Sequence, residues 1–111
     1  ANRSAPNFIG FGRAVGMVVE IEPNSTSSIA LDGCVVCIEN ADPGYDWIFT
    51  KTPGALVTRY GGANSHMAVR CAELGVPAAI GCGDQLFNRV SRAARAEIDC
   101  AERSLRGLYG A

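Results

Sequence analysis

Short apolar segments alternate in this chain with segments of helical spacing, and this alternation restricts the possible folds most strongly. Four short segments predict strands because they are β-branched or continuously apolar, and the tail is predicted to form two more. They span residues 14–22, 34–39, 55–58, 77–81, 94–100 and 104–109. Helices are predicted through Trp47 and Phe49, over residues 67–74, and through Leu86, Phe87 and Val90. The order β-β-α-β-α-β-α-β-β predicts an α/β fold, a mixed sheet with helices packed on it.

The helix over residues 67–74 has the clearest pattern. Met67, Cys71 and Leu74 recur at i, i+4 and i+7, which places them along one face. Gly75 follows where a left-handed C-cap belongs, and Pro77 comes two residues later. These features predict that the helix ends at Gly75.

The length and composition fit one globular domain. A chain of 111 residues, 48% hydrophobic and 19% charged, can bury a core but is too short for two domains. Residues 1–7 are predicted to form a flexible lead-in, and residues 8–111 the folded domain.

The charge balance argues against nucleic acid and membranes as partners. Ten basic and eleven acidic residues give a net charge of -1, so no strong field draws the chain to a polyanion. The arginine-rich segment 89–106 also contains Glu97, Asp99 and Glu102, which predicts a solvated face of mixed charge. The longest apolar runs are far shorter than the roughly 20 residues that span a bilayer.

The cysteines predict reduced thiols and a cytoplasmic location, because their spacing lacks the density of a disulfide scaffold. They are Cys34, Cys37, Cys71, Cys82 and Cys100. Cys34 and Cys37 form a C-x-x-C pair, which leaves a thiol redox or metal module open as a hypothesis. Residues three apart on a strand point to opposite faces, however, so we expect core cysteines here.

His66 is the only histidine in the chain, and it follows a strand and a glycine pair at a predicted helix start. The first turn of a helix has unpaired amide groups and a partial positive charge, which favour an anion and disfavour a protonated imidazole. Neutral imidazole is the nucleophilic form. Ser65 is a candidate to hydrogen-bond the ring or a bound phosphate. The candidate phosphate-binding residues are Gly61, Gly62 and Asn64.

Residues 54–81, GALVTRYGGANSHMAVRCAELGVPAAIG, closely resemble the phosphohistidine signature of the phosphoenolpyruvate-utilising enzymes. The glycine pair, Ser-His, Glu-Leu-Gly-Val-Pro and the final glycine stand there at the spacing of that signature. Residues 42–47, DPGYDW, resemble the aspartate-tryptophan segment that precedes it in relatives. Within this segment, Asp42 is a candidate N-cap before Pro43 at the first helical position.

This resemblance implies the β/β/α swivelling phosphohistidine domain from about Phe8 onward. It implies that His66 accepts and donates the phosphoryl group, that Ser65 is its hydroxyl neighbour, and that Gly61 with Gly62 shapes the pocket. Such a domain carries phosphoryl groups between active sites on other domains of a multidomain phosphotransferase, as in phosphoenolpyruvate synthases and pyruvate phosphate dikinases.

The implied partners are a nucleotide-binding, ATP-grasp-like domain and a phosphoenolpyruvate- or pyruvate-binding domain. This chain has no Walker-type phosphate loop and no acidic cluster spaced like a magnesium site. We therefore expect no cofactor or metal here, with Mg²⁺ and ATP or phosphoenolpyruvate bound by the partner domains. The chain alone is not expected to turn over.

Two residues depart from the signature. Ala63 and Asn64 stand where many relatives have Arg or Met followed by Thr. The loss of a basic or hydroxyl group leaves a second hypothesis open. It is a non-catalytic interaction or regulatory module that has kept the fold and lost phosphoryl transfer.

Overall fold

The computed structural model describes residues 5–22 and 29–109. Its strands are β1 (Asn7–Ile9), β2 (Arg13–Glu20), β3 (Val35–Ile38), β4 (Ala55–Thr58), β5 (Ala78–Ile80), β6 (Arg95–Asp99) and β7 (Ser104–Leu108). A 3-10 helix spans Pro43–Lys51, and the α-helices are α1 (His66–Leu74) and α2 (Gly83–Ser91). Every predicted strand and helix is present in the predicted order.

Within the described residues, the strands form one seven-stranded sheet in the order β1-β5-β4-β3-β2-β6-β7. Strands β2, β3, β4 and β5 run parallel to one another. Strand β1 at one edge, and β6 and β7 at the other, are antiparallel to their neighbours. The predicted α/β fold with a mixed sheet is therefore confirmed.

Strand β1 is not predicted by the sequence. Its three residues are too few to show a periodic pattern. They become a strand by pairing antiparallel with β5, where Phe8 lies opposite Ala79. Asn7, the last residue of the predicted lead-in, belongs to the sheet. Residues 1–4 of that lead-in lie outside the described residues, and the division into lead-in and domain stays a prediction.

The central strands β3 and β4 are buried on both faces, which divides the core in two. Val36, Ile38 and Leu56 pack on the side of α1 and the 3-10 helix. Val35 and Val57 pack on the opposite side, with α2. This is the burial expected of parallel strands covered on both faces, and it explains their continuously apolar sequences.

The two cysteines of the C-x-x-C pair follow this division. Cys34 packs against the cluster on the α1 side, and Cys37 lies in the cluster on the α2 side. The prediction that they point to opposite faces is confirmed, and both thiols are free. Burial raises the pKa of the Cys37 thiol to about 12, so it is a poor nucleophile and metal ligand.

The predicted mixed-charge face holds neighbouring strands together. Oε1 of Glu97, on β6, accepts a hydrogen bond of 2.9 Å from Nε of Arg106, on β7. The same carboxylate pairs with Arg13 on β2. The hydrogen bonds from Arg106 and Arg13 hold the pKa of Glu97 below its usual value of 4.5. These are cross-strand ion pairs, which favour the observed register.

The 3-10 helix begins as the sequence predicts. The Asp42 carboxylate accepts a hydrogen bond of 3.0 Å from the Gly44 amide, and Pro43 occupies the first helical turn. The segment forms a 3-10 helix of nine residues, whereas its sequence indicated only a short helix. It packs against α1, which brings the segment around residue 46 close to the start of α1.

Thr58, the last residue of β4, connects the two loops that lead into α1 and α2. It is the buried polar residue of the described chain, and its side chain is 0% exposed. Its hydroxyl donates to the Tyr60 carbonyl at 2.8 Å and accepts from the Gly81 amide at 2.9 Å. The Thr58 carbonyl also accepts from the Cys82 amide at 2.9 Å. The loop after β4 is thereby fixed against the loop after β5.

We predict that Thr58→Val lowers the free energy of unfolding by about 1–3 kcal/mol, because valine has a similar shape but leaves the partly buried Gly81 amide without its acceptor. Thr58→Ser, which keeps the hydroxyl, is the matched control and should lose less. Urea unfolding of the chain measures both. Equal stability of the valine variant and the wild type would contradict the role assigned to the hydroxyl.

A close approach of two glycines completes this junction. Gly81 has φ +76°, and a Cβ added there would lie 2.3 Å from the Gly61 carbonyl oxygen. Gly61 has φ +127°, and its Cβ would lie 2.7 Å from Cβ of Ala41. Gly62 differs, because a Cβ there would meet no atom within 4 Å. Of these two residues, Gly61 is therefore the one whose backbone angle and close contacts require glycine.

We predict that Gly61→Ala destabilises the chain by about 1–3 kcal/mol, through backbone strain and the contact with Ala41. Gly62→Ala, its matched control one residue away, should change stability by less than about 0.5 kcal/mol. Thermal unfolding of the two variants tests the difference. The idea fails if both substitutions prove equally costly or equally harmless.

Candidate active site

The structure places His66 where the sequence predicts it, at the first residue of α1. Ser65 is the N-cap, with extended backbone, and Gly75 ends the helix with φ 73°. The imidazole is open to solvent, and the His66 side chain is 37% exposed. Met67 and Cys71, by contrast, are buried and hold the apolar face of α1 on the sheet. The ring is thus fixed through its helix and accessible to a reactant.

Backbone amides at the start of α1 are free to bind an anion. The Met67 amide donates to the Ala41 carbonyl at 3.3 Å, and the Val69 amide donates to the Ser65 carbonyl at 3.1 Å. The amides of His66 and Ala68 make no hydrogen bond to any described residue. The expectation of unpaired amides beside the histidine is therefore confirmed for these two groups.

Ser65 is turned toward the glycine loop. Its hydroxyl donates to the Gly62 carbonyl at 2.7 Å, and the Ser65 amide donates to the same oxygen at 3.0 Å. The hydroxyl proton is therefore used in closing the loop, and no hydrogen bond joins Ser65 to the imidazole in this arrangement. In this arrangement, Ser65 offers a phosphoryl group on His66 only a neighbouring polar side chain.

The other candidate phosphate-binding residues lie at the surface near the ring. Gly61, Gly62 and Asn64 are all exposed. Gly61 belongs to the tight junction with Gly81, whereas Gly62 supplies the carbonyl that holds Ser65. Asn64 precedes the N-cap and does not itself cap α1. The structure thus gathers the predicted residues around one helix start, and their contact with phosphate stays a prediction.

Asp46 is the site residue whose role the sequence analysis missed. Nε2 of His66 lies 2.8 Å from Oδ1 of Asp46, in the 3-10 helix. Because a carboxylate only accepts hydrogen bonds, Nε2 carries a hydrogen in this contact. The pair is separated by 20 residues in sequence. The available signal was the resemblance of residues 42–47 to a segment of relatives, which did not indicate a contact with the histidine.

Arg70 shares the same carboxylate oxygen. Its Nε donates to Oδ1 of Asp46 at 3.1 Å, and its Nη1 donates to Glu73 at 3.3 Å. The guanidinium carbon also lies 5.5 Å from the centroid of the Phe49 ring. The hydrogen bonds from His66 and then Arg70 lower the pKa of Asp46 from its usual value of 3.8, so the carboxylate is charged near neutral pH.

The opposite side of the glycine loop is held by Arg59, which follows β4. Its Nη1 donates to Asp84 and its Nη2 to Asn88, both at 3.0 Å. Its Nε lies 2.9 Å from Oε2 of Glu39, and its guanidinium lies 4.4 Å from the centroid of Phe87. These contacts connect β4 to α2. Arg59 therefore supports the loop before His66 without reaching the imidazole.

The geometry provides one accessible nitrogen nucleophile, two free amides and one nearby cation. In the described part of the chain, no group of three or more His, Cys, Asp or Glu side chains is arranged to hold a metal ion. The helices among these residues are also too short to cross a membrane. The free amides and Arg70 fit the binding of an anionic group near the imidazole, whereas the Asp46 carboxylate opposes it.

Comparison with known proteins identifies relatives of similar sequence. The chain is 34% identical over 105 residues to the phosphoenolpyruvate synthase of Escherichia coli (strain K12), a match that covers 89% of this chain. It is 36% identical over 84 residues, or 74% of this chain, to the probable phosphoenolpyruvate synthase of Staphylothermus marinus. The matched segments are only 13% and 10% of those two proteins.

A solved structure shares the fold. The solution NMR structure of a UPF0107 protein superposes with a TM-score of 0.66 and covers 95% of this chain and 98% of its own. The two are 14% identical in sequence, so this likeness concerns the fold alone.

The family comparison agrees with the relatives. The model of the mobile domain of PEP-utilising enzymes matches residues 29–103, which contain the 3-10 helix, the glycine loop and His66. The match covers most of the chain. The chain belongs to the family of PEP-utilising enzyme mobile domains.

Proposed function

We propose that this chain is the phosphoryl-carrier domain of a phosphoenolpyruvate-synthase-like phosphotransferase, and that His66 is the residue that carries the phosphoryl group. The observation that carries the proposal is the position of the imidazole. It is the first side chain of α1, it is exposed, and the His66 and Ala68 amides beside it are free. Membership of the PEP-utilising family supports the same reading.

The chemistry at His66 is a reversible nucleophilic displacement. A lone pair of an imidazole nitrogen forms a bond to phosphorus while the phosphorus–oxygen bond of the donor breaks, and the electron pair leaves with the donor oxygen. The reverse reaction gives the phosphoryl group to an acceptor oxygen. The free amides and the helix dipole stabilise the negative charge in the loaded state.

The catalytic machinery for each transfer belongs, in this proposal, to other domains. We infer a nucleotide-binding, ATP-grasp-like domain and a phosphoenolpyruvate- or pyruvate-binding domain, with Mg²⁺ bound at those sites. The chain spans about a tenth of its synthase relatives, which leaves ample length for them. The exposed ring suits a domain that presents one side chain to two sites in turn.

The alternative of a non-catalytic regulatory module makes a different prediction about His66. Ala63 and Asn64 motivated that alternative, and both follow the glycine pair. The hydrogen bond of the imidazole goes to Asp46 and not to Asn64, and Ser65, not Asn64, is the N-cap. The geometry of His66, Asp46 and the free amides is complete with these two residues in place, which favours the carrier.

We predict that the protein, in the full length in which it is expressed, acquires one phosphate on the peptide containing His66. Phosphoenolpyruvate and Mg-ATP are tested as separate donors. The label should be acid-labile and stable to base, as a phosphoramidate is, and peptide mass measurement at alkaline pH locates it.

The control variants are His66→Ala and His66→Gln, the second of which keeps a polar side chain at the helix start. Both should lose the label from this peptide entirely while keeping the far-ultraviolet circular dichroism of the wild type. A wild-type protein that stays unlabelled with both donors would favour the regulatory module. A label that persists in His66→Gln would place the phosphate elsewhere.

A further inference from the structure

The Asp46 carboxylate occupies an unusual place for an acidic group beside a proposed phosphoryl acceptor. Its Oδ1 lies 2.8 Å from Nε2 of His66 and 3.1 Å from Nε of Arg70. A phosphoryl group bonded to Nε2 would need the same space. Its negative charge cannot share that space with a carboxylate, because like charges a few ångströms apart repel strongly.

We propose that the Asp46 carboxylate is a placeholder for the phosphoryl group. In the unloaded state it lies between Nε2 of His66 and Arg70; when the phosphoryl group bonds to Nε2, Asp46 leaves and Arg70 binds the phosphoryl oxygens. This inference rests on the proposed function of His66. It assigns Asp46 as a positioning residue and Arg70 as the cation of the loaded state.

Arg70 is held in place independently of Asp46. It lies one helical turn after His66, so the two side chains share a face of α1. Its Nη1 is bound by Glu73, and its guanidinium lies over the Phe49 ring. Departure of Asp46 therefore leaves the cation near Nε2, with its Nε free to bond an incoming anion. Guanidinium groups bind phosphoryl oxygens well because their donors form a fork.

The proton also has a defined path. While Asp46 is bound, Nε2 carries the hydrogen that the carboxylate accepts. When Asp46 leaves, this proton passes to solvent and Nδ1 takes one up, which the 37% exposure of the side chain permits. The Nε2 lone pair then forms the bond to phosphorus, the donor's phosphorus–oxygen bond breaks, and its electron pair leaves with the donor oxygen.

The two charges have opposite effects on the loaded state. Asp46 stabilises the unloaded ring by its hydrogen bond and repels the phosphoryl group, so it favours transfer away from His66. Arg70 attracts the phosphoryl group and favours its retention. Together they set the phosphoryl-transfer equilibrium of His66. The helix dipole alone would shift this equilibrium only toward the phosphorylated state.

The experiment measures the phosphoryl-transfer equilibrium of the full-length protein. The protein is equilibrated with mixtures of phosphoenolpyruvate and pyruvate, and the fraction phosphorylated at His66 is read by mass measurement. Asp46→Asn should reach half-phosphorylation at a phosphoenolpyruvate-to-pyruvate ratio about fivefold lower than the wild type, and Arg70→Gln at a ratio about fivefold higher, as suits charge contacts partly open to water.

Glu73→Gln is the matched control. Like Asp46→Asn, it removes one negative charge that is bonded to Arg70, but Glu73 makes no hydrogen bond to the imidazole. Glutamine also keeps an oxygen that accepts from Nη1, so Arg70 stays in place. Its half-phosphorylation ratio should stay within about twofold of the wild type. Unchanged ratios in Asp46→Asn and Arg70→Gln, or a shift in Glu73→Gln as large as that in Asp46→Asn, would overturn the placeholder role.

A spectroscopic measurement tests the proposal even where a variant folds poorly. ¹⁵N chemical shifts of the wild-type imidazole should show hydrogen on Nε2 before loading and phosphorus on Nε2 after loading. Phosphorus on Nδ1 would overturn the inference while leaving His66 as the carrier. A wild-type protein that takes up no phosphate at all would overturn the proposed function, and this inference with it.

Discussion

The hydroxyl of Thr58 is the interaction on which the geometry of the site depends. It is buried at the end of β4 and binds the loop before α1 and the loop after β5 at once. A buried hydroxyl with both a donor and an acceptor role filled is stable only in one arrangement of its partners. The Gly61 carbonyl therefore lies against Gly81, and α1 begins at a fixed place above the sheet.

The 3-10 helix approaches the start of α1 from the other side. The Ala41 carbonyl accepts the Met67 amide, which ties the chain before the 3-10 helix to the first turn of α1. Asp46 extends from the 3-10 helix to His66 across this junction. The backbone around the histidine is thus held by buried residues, whereas the charged side chains of Asp46 and Arg70 are partly exposed. The proposed carrier function requires this combination of a fixed nucleophile and accessible charged neighbours.

The sequence predicts the fold well because its signals are local. Gly75 and Pro77 end α1, Asp42 caps the 3-10 helix, and the doubly buried strands are continuously apolar. Strand β1 escapes prediction because it exists only through its partner β5. The same distinction applies to the site. The position of His66 follows from local sequence, but its contact with Asp46 spans 20 residues and depends on how two helices pack.

The field of the helix start, which is local to the sequence around His66, favours an anion beside the ring. The structure adds a carboxylate of opposite effect at 2.8 Å. A site with the helix field alone would bind a phosphoryl group and retain it. A site with Asp46 alone would repel it. Because Arg70 binds the same carboxylate, neither charge acts without the other. In the proposed carrier, these three side chains on two neighbouring helices set the balance between acceptance and release.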